Sequence, residues 1–255
     1  GSAARGSAAA PPRTAIGLDL GTSGVRLMAV RAAADSRRVV VHTDEVAWSD
    51  DAGARSETWV AGMQQLLARC PPDVLEATAS VAVSGTSATA LIIDEHGRVK
   101  RAPRMYNYAV SGSAGDEAMR IIEARAPKGH TVRARTSTLA KLLAWHLEAP
   151  LSPTDRLVHQ ADFAATVLCA GGAPFDEQQQ SSEDPRGLVF ASDWHNALKL
   201  GYDVENLRWP GWLLDILSDV GLPHEVLPAA VLPPGAAAVD GGEALRKGQR
   251  SGGST

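Results

Sequence analysis

Residues 16–26 read IGLDLGTSGVR: apolar residues alternate up to a carboxylate at Asp19, and the chain then runs through Gly21, Thr22, Ser23 and Gly24 to Arg26. Together with the flanking TA and LMAVR, the stretch predicts two short strands, 14–20 and 24–31, joined by a tight turn. A strand that ends on Asp19 carries its carboxylate to the sheet edge, where it can meet a metal-bound phosphate or water. Gly21 and Gly24 admit backbone angles or close approaches that a Cβ obstructs, exposing amide donors beside the hydroxyls of Thr22 and Ser23. Such a hairpin suits a transferring phosphoryl group. It is not a Walker A loop, since no GK[ST] follows, and it is not GxGxxG. The next element is strand-like, so a helix N-terminus is not the anion-binding device. Taken alone, the same residues also describe an ordinary glycine-rich turn.

Outward from the hairpin, VVVHTDEVAW (39–48) reads as a third strand, and SETWVAGMQQLLARC (56–70) as a helix with Ser56 available as its cap. ATASVAVSG (77–85) predicts a strand, and TALIIDEHGRV (89–99) another with a turn at 95–97. Helices are expected over 115–126, 137–148 and 156–168, and one short strand in the Pro- and Ala-rich stretch after residue 226. Strand hairpins followed by strand–helix alternation define an α/β class with a mixed sheet. In RWPGWLLDILSDVGLP, Trp209, Trp212, Leu213, Ile216 and Leu217 form an apolar helix expected to pack on its own domain. The polar stretch between Cys169 and Phe190 reads as an exposed loop. Residues 1–12 are small and read as a disordered tail, residues 13–243 as one domain, and 244–255 as a flexible tail.

Composition sets outer limits on function. With 25 Lys and Arg against 29 Asp and Glu, the net charge is −4 and no long basic run exists, which disfavours a nucleic-acid backbone binder. No apolar run approaches the roughly 18 to 20 residues of a membrane helix. Cys70 and Cys169 lack metal-ligand spacing and read as two buried free thiols. His159 and Asp162 share i,i+3 spacing, but no third metal ligand accompanies them.

A second polar segment, SDWHNALKLGYD (192–203), is anchored by Trp194, Ala197, Leu198 and Leu200. Asp193 is the candidate general base, since a carboxylate within hydrogen-bond reach can take the proton of a hydroxyl attacking phosphorus. It is equally a helix cap, and both roles can coexist. Asn196 either orients this loop or binds substrate.

The two segments together resemble the N-terminal half of FGGY-family carbohydrate kinases, over residues 16–245, and most nearly the plant and cyanobacterial D-ribulose kinase branch, which is xylulose kinase-like. The match to a DxGTxxxR phosphate loop is Asp19, Gly21, Thr22, Ser23 and Arg26; the match to DxxNA is Asp193, Asn196 and Ala197. Further landmarks are SETWV, VSGTSATALIIDEHG and KLLAWHLE with Lys141 and Trp145. The resemblance implies a ribonuclease-H-like domain of the actin-like ATPase superfamily with a five-stranded mixed sheet. It implies ATP as co-substrate and Mg²⁺ near Asp19, reached through water. Gly21, Thr22, Ser23 and Arg26 would lie on the phosphate side, and Asp193 would be the base. Thr86, Ser87, Tyr106, Asn107, Tyr108, Asp193 and Asn196 would line the sugar site, in a protein of the cytoplasm or plastid stroma. Two departures stand out. Tyr108 occupies the position where the family carries a sugar-binding aspartate, in RMYNYAVSG. The nucleotide-binding C-terminal domain of the family has no counterpart in these 255 residues, so a second domain or partner is expected to complete turnover. The rival class is a catalytically inactive, kinase-derived module that binds sugar or protein.

Overall fold

The computed structural model describes residues 13–33, 37–49, 53–170, 190–233 and 235–238. The expected N- and C-terminal tails and the polar loop of 171–189 lie outside these residues. Strand β1 (Thr14–Leu20) alternates buried and exposed positions along its whole length, as the sequence pattern requires of a half-covered strand. It pairs antiparallel with β2 (Gly24–Ala32), which pairs antiparallel with β3 (Arg38–Ala47). On its other side β1 runs parallel to β4 (Thr78–Gly85), giving a sheet of order β3-β2-β1-β4. The main sheet thus holds four strands among the described residues, one fewer than expected.

Between β3 and β4 lie helix α1 (Ser56–Arg69) and the short α2 (Pro72–Glu76), whose entry is set by Pro72 in the first turn. Ser56 does not cap α1: Arg55 holds the N-cap position without a side-chain bond, and Ser56 is buried inside the first turn. A second sheet, of order β6-β5-β7, is built from β5 (Ala90–Ile93), β6 (Val99–Arg104) and β7 (Arg156–His159). Helices α3 (Gly112–Arg125) and α4 (Thr138–Glu148) come between β6 and β7. Ser137 caps α4, its hydroxyl accepting from the Ala140 amide at 3.1 Å.

The single helix expected over 156–168 is divided. Arg156–His159 is strand, paired antiparallel with β5, and α5 (Gln160–Cys169) begins only afterwards. The Asp162 carboxylate accepts from the His159 amide at 3.2 Å and faces His159 Nδ1 at 3.0 Å, so the i,i+3 pair starts the helix. Among the described residues no cluster of three His, Cys, Asp or Glu side chains could hold a metal. Strand β8 (Ala191–Asp193) runs into α6 (Trp194–Leu200), is followed by α7 (Gly211–Val220), and pairs parallel with β9 (Ala230–Leu232).

Two hydrophobic clusters fill the molecule. One lies between the main sheet and helices α1 and α5: Ile16, Leu18 and Leu27 meet Trp59, Met63 and Phe163, with Trp59 and Phe163 edge to face at 6.2 Å. The other gathers α3, α4 and α7 around Ile92 and includes Leu213, Ile216 and Leu217, so the apolar helix packs on its own domain as expected. Cys70 is buried and Cys169 partly so; both are free. No helix among the described residues is long and apolar enough to cross a membrane.

The opposite face of the main sheet is bare among the described residues. Its register rows set Gly17 beside Met28 and Ala82, and Asp19 beside Arg26 and Ser84, all exposed. The glycines of the hairpin do different work. A Cβ on Gly24 would overlap the Val46 carbonyl, whereas one on Gly21 would find only ordinary contacts, the nearest at 3.5 Å. Gly24 therefore serves the close approach of β2 to β3.

Gly24→Ala should lower stability by about 2 kcal/mol or more, since backbone must shift. Gly17→Ala, on the bare face with its nearest atom at 3.9 Å, should leave stability unchanged or slightly raised. Urea unfolding of the two variants measures the contrast, and equal losses would be inconsistent with this packing.

Candidate active site

The parallel strands β1 and β4 end side by side at Leu20 and Gly85. In α/β sheets the carboxyl ends of parallel strands are where ligands bind, because loops and helix N-termini converge there. Just before this end, Asp19 stands on the bare face with its side chain 57% exposed. Its Oδ1 accepts from the Ser84 hydroxyl at 2.6 Å, and its Oδ2 faces the Arg26 guanidinium at 3.8 Å. Arg26 also approaches Glu45 at 3.6 Å, so it sits between two carboxylates in one cross-strand row.

The turn itself is closed by the Gly21 amide donating to the Gly24 carbonyl at 2.8 Å. Trp48 holds it from behind: its backbone amide donates to Ser23 O at 2.9 Å and its indole N–H to Gly21 O at 3.1 Å. Thr22 and Ser23 are exposed at the tip, and their amides make no backbone hydrogen bond to another described residue.

Past Gly85 the chain enters the loop of Thr86 and Ser87. Gln160, the first residue of α5 and wholly buried, accepts at Oε1 from the Thr86 amide at 2.9 Å and the Thr86 hydroxyl at 2.8 Å. This approach needs a glycine at 85, since a Cβ there would lie 3.1 Å from both the Ala161 amide nitrogen and Gln160 Oε1. His159, also wholly buried, faces the Ser192 hydroxyl at 3.2 Å, and Asp193 follows directly. Three contacts, Asp19 with Ser84, Thr86 with Gln160 and His159 with Ser192, are therefore joined by the chain itself into a line that ends at Asp193. Gln160 Nε2 and His159 Nε2 on this line, and Ser87 Oγ and Asn196 Oδ1 near it in sequence, are buried without a hydrogen-bond partner among the described residues.

Asp193 caps α6. Its Oδ1 accepts from the amides of His195 at 2.7 Å and Asn196 at 2.9 Å, and its Oδ2 from Asn196 Nδ2 at 2.7 Å. A carboxylate offers about four acceptor positions, so three donors leave one free, on Oδ2. Capping and proton acceptance are thus compatible in one side chain. Asn196 is buried and spends its amide on Asp193, which makes it the residue that orients the carboxylate.

Tyr106, Asn107 and Tyr108 lie exposed on a turn after β6, closed by the Tyr108 amide on Met105 O at 2.9 Å. The Tyr108 ring lies over the Arg104 guanidinium at 4.9 Å, and Trp145 flanks the same group at 4.6 Å. Arg104 meets both oxygens of Glu148 at 2.5 Å. Beneath this turn lies Lys141, fully buried, whose pKa falls from the ordinary 10.5 to about 8 because burial disfavours its charge and the Arg104 cation adds repulsion. Ser84, Gln160 and Lys141 were not among the site residues expected from sequence. Ser84 is legible only once β4 is placed beside β1, and nothing local distinguishes Gln160 from any first-turn glutamine.

No known family's sequence model matches the chain. Solved structures do. A xylulose kinase from Bifidobacterium adolescentis aligns at 19% identity over 90% of this chain and 49% of its own, with a TM-score of 0.62. A structure described as a xyloylose kinase from Brucella ovis aligns at 19% over 86% of this chain and 43% of its own, also at 0.62. A gluconate kinase from Lactobacillus acidophilus aligns at 11% over 93% and 46%, at 0.63. The chain shares the α/β fold of these carbohydrate kinases and spans less than half the length of each.

Two measurements check the site's physics. Asp193→Ala should destabilise the chain by about 1 kcal/mol through loss of the α6 cap, with Asp193→Ser retaining most of it. For Lys141, a folded-state pKa of about 8 against an ordinary 10.5 means the unfolded chain binds more protons between those values. Stability contributed by this side chain should therefore rise with pH from about 8 upward and stay flat below it. The unfolding free energy of wild type minus that of Lys141→Met should climb from pH 8 to 10; a flat or falling difference rejects the depressed pKa.

Proposed function

We propose that residues 13–243 form the sugar-binding half of an ATP-dependent carbohydrate kinase whose acceptor is a pentulose, D-ribulose before others. The observation that carries this reading is the line of contacts and chain links joining Asp19 at the hairpin to Asp193 through β1, β4, α5, β7 and β8. In the proposed mechanism Asp193 takes the proton of the attacking sugar hydroxyl at the free position on Oδ2, with Asn196 fixing its orientation. Thr22 and Ser23 hold the transferred phosphoryl group with their hydroxyls and outward amides, while Trp48 keeps the turn rigid behind them. Thr86, Ser87, Tyr106 and Asn107 present the sugar wall, and Tyr108 covers Arg104 at its rim.

A magnesium ion fits this donor set only as a substrate-borne ion. Asp19 is a single exposed carboxylate already accepting from Ser84, which suits an ion that keeps its waters and takes its other ligands from phosphate. When bound, such an ion neutralises charge on the phosphate oxygens. The similar structures are about twice as long as this chain, so the nucleotide side of the cleft is assigned to further polypeptide, on the same chain or a partner.

Tyr108 favours a second reading, a sugar-binding module without turnover. A phenol with one hydroxyl replaces a carboxylate that would accept two sugar hydroxyls.

Calorimetry of the 255-residue chain with D-ribulose and D-xylulose, alongside a coupled ADP-release assay, tests the proposal. The expected outcome is pentulose binding, weakened at least tenfold by Asp193→Ala, with negligible ADP release. Tyr108→Asp should tighten binding by about tenfold or more, the worth of one restored charged hydrogen bond. No pentulose binding by either wild type or Tyr108→Asp would reject the sugar assignment.

A further inference from the structure

Helix α4 presents eight successive buried residues, Thr138 to Trp145, and one of them is a lysine with no exposed surface. Lysine is seldom fully buried, because its ammonium must replace every water it loses with a hydrogen bond. Lys141 places two of its three N–H donors on main-chain oxygens: Nζ donates to Ala88 O at 2.8 Å and to Met105 O at 2.8 Å. Neither acceptor belongs to α4. Ala88 closes the loop that follows Thr86 and Ser87, and Met105 opens the turn of Tyr106, Asn107 and Tyr108. The two loops flank the β5–β6 hairpin in sequence and leave it at the same open end, where Ala90 pairs with Arg104, and Lys141 reaches both.

Each loop needs such a hold. Ala88 has φ +65°, a left-handed conformation that costs a residue with a Cβ and persists only where surroundings impose it. The Met105 turn is also fastened by the Tyr108 amide on Met105 O, by Arg104, whose Nη1 donates to the Lys141 carbonyl at 3.3 Å, and by the Met105 side chain packed on the main-sheet cluster. An apolar residue of the same length would fill the α4 position but leave Ala88 O without a donor among the described residues and Met105 O with the Tyr108 amide alone.

We propose that Lys141 is the positioning residue of the sugar wall: by bridging Ala88 O and Met105 O it fixes the spacing between the Thr86–Ser87 loop and the Tyr106–Tyr108 turn. This rests on the sugar-binding reading above only for what the wall binds; the bridge itself is a property of this chain's own loops. Lys141 touches no substrate. It acts through the loops, so its removal should leave the helical core in place while the wall loses its fixed width. A neutral lysine keeps two N–H donors, one for each carbonyl, so the bridge should persist after the proton is lost, and pH is not the lever that opens it.

The test compares Lys141→Met, which keeps the stem and deletes the donors, with Leu142→Ala, which removes a fully buried neighbour on the same helix and touches neither loop through a hydrogen bond. Hydrogen exchange followed by mass spectrometry is read on peptides covering 86–91 and 105–110, under conditions where both variants are folded, together with D-ribulose affinity by calorimetry. Lys141→Met should raise exchange in both loops by at least about tenfold over Leu142→Ala, and weaken D-ribulose at least about fivefold where Leu142→Ala leaves it within twofold. Equal exchange in the two variants, or loosening of only one loop, overturns the bridge. Loosened loops in Lys141→Met together with a wild type that never binds a pentulose uphold the bridge and reject the sugar reading, so the two failures are distinguishable.

Discussion

Strand β5 belongs to both hydrophobic clusters at once. Its four residues are all fully buried, and they alternate: Ala90 and Ile92 face the helical cluster of α3, α4 and α7, while Leu91 and Ile93 face the cluster beneath the main sheet. A strand buried on both faces has its register fixed, because a one-residue slip would exchange every side chain between two differently shaped cores. That fixed register propagates. Ala90 pairs with His159, so Gln160 follows at the edge, and its amide donates to Thr89 O at 3.0 Å. From there its side chain reaches Thr86, and the N-terminus of α5 is carried against Gly85. The candidate site is thus a consequence of how a central, wholly apolar strand divides two cores.

The acidic residues around the site serve the backbone first. Asp162 starts α5, Asp193 starts α6, and Asp19 accepts from a hydroxyl on the neighbouring strand. Each carboxylate is held by at least one short-range donor, which fixes its rotamer before any ligand arrives. Orientation set in advance lowers the entropy that a bound substrate must supply. The capping of α6 and the proposed proton acceptance by Asp193 call on different acceptor positions of one carboxylate.

What the sequence revealed followed local pattern. The meander of β1, β2 and β3 was legible from strict alternation, and α4 from its apolar run with Ser137 before it. The turn after β5 was legible from DEHG, where Asp94 accepts from the amides of His96 and Arg98 and Gly97 takes φ +83°. Strand β7 was not legible, since RLVH and the following QADFAATVL form one unbroken stretch compatible with a helix, and histidine is not a favoured cap. Ser56 misled because serine caps are common, yet here the chain enters α1 one residue earlier. The site divides in the same way. Asp19, Arg26 and Asp193 were visible as motif residues, whereas Ser84, Gln160 and Lys141 act through partners that the fold brings from far along the chain.

The separations involved bear on the order in which the molecule assembles. The β1–β2 hairpin is closed within a few residues, at Gly21 and Gly24, and its strands are sequence neighbours. The contacts that turn this hairpin into part of a site join residues 65 apart at Asp19 and Ser84, and 74 apart at Thr86 and Gln160. Local contacts close quickly and distant ones must first overcome the entropy of the loop between them. A nascent chain can therefore present a finished hairpin long before it possesses a cleft. In this architecture the polar atoms of Thr86, Gln160, His159 and Ser192 come together only when α5 and β8 dock, so the candidate site is expected to form later than the hairpin at its edge.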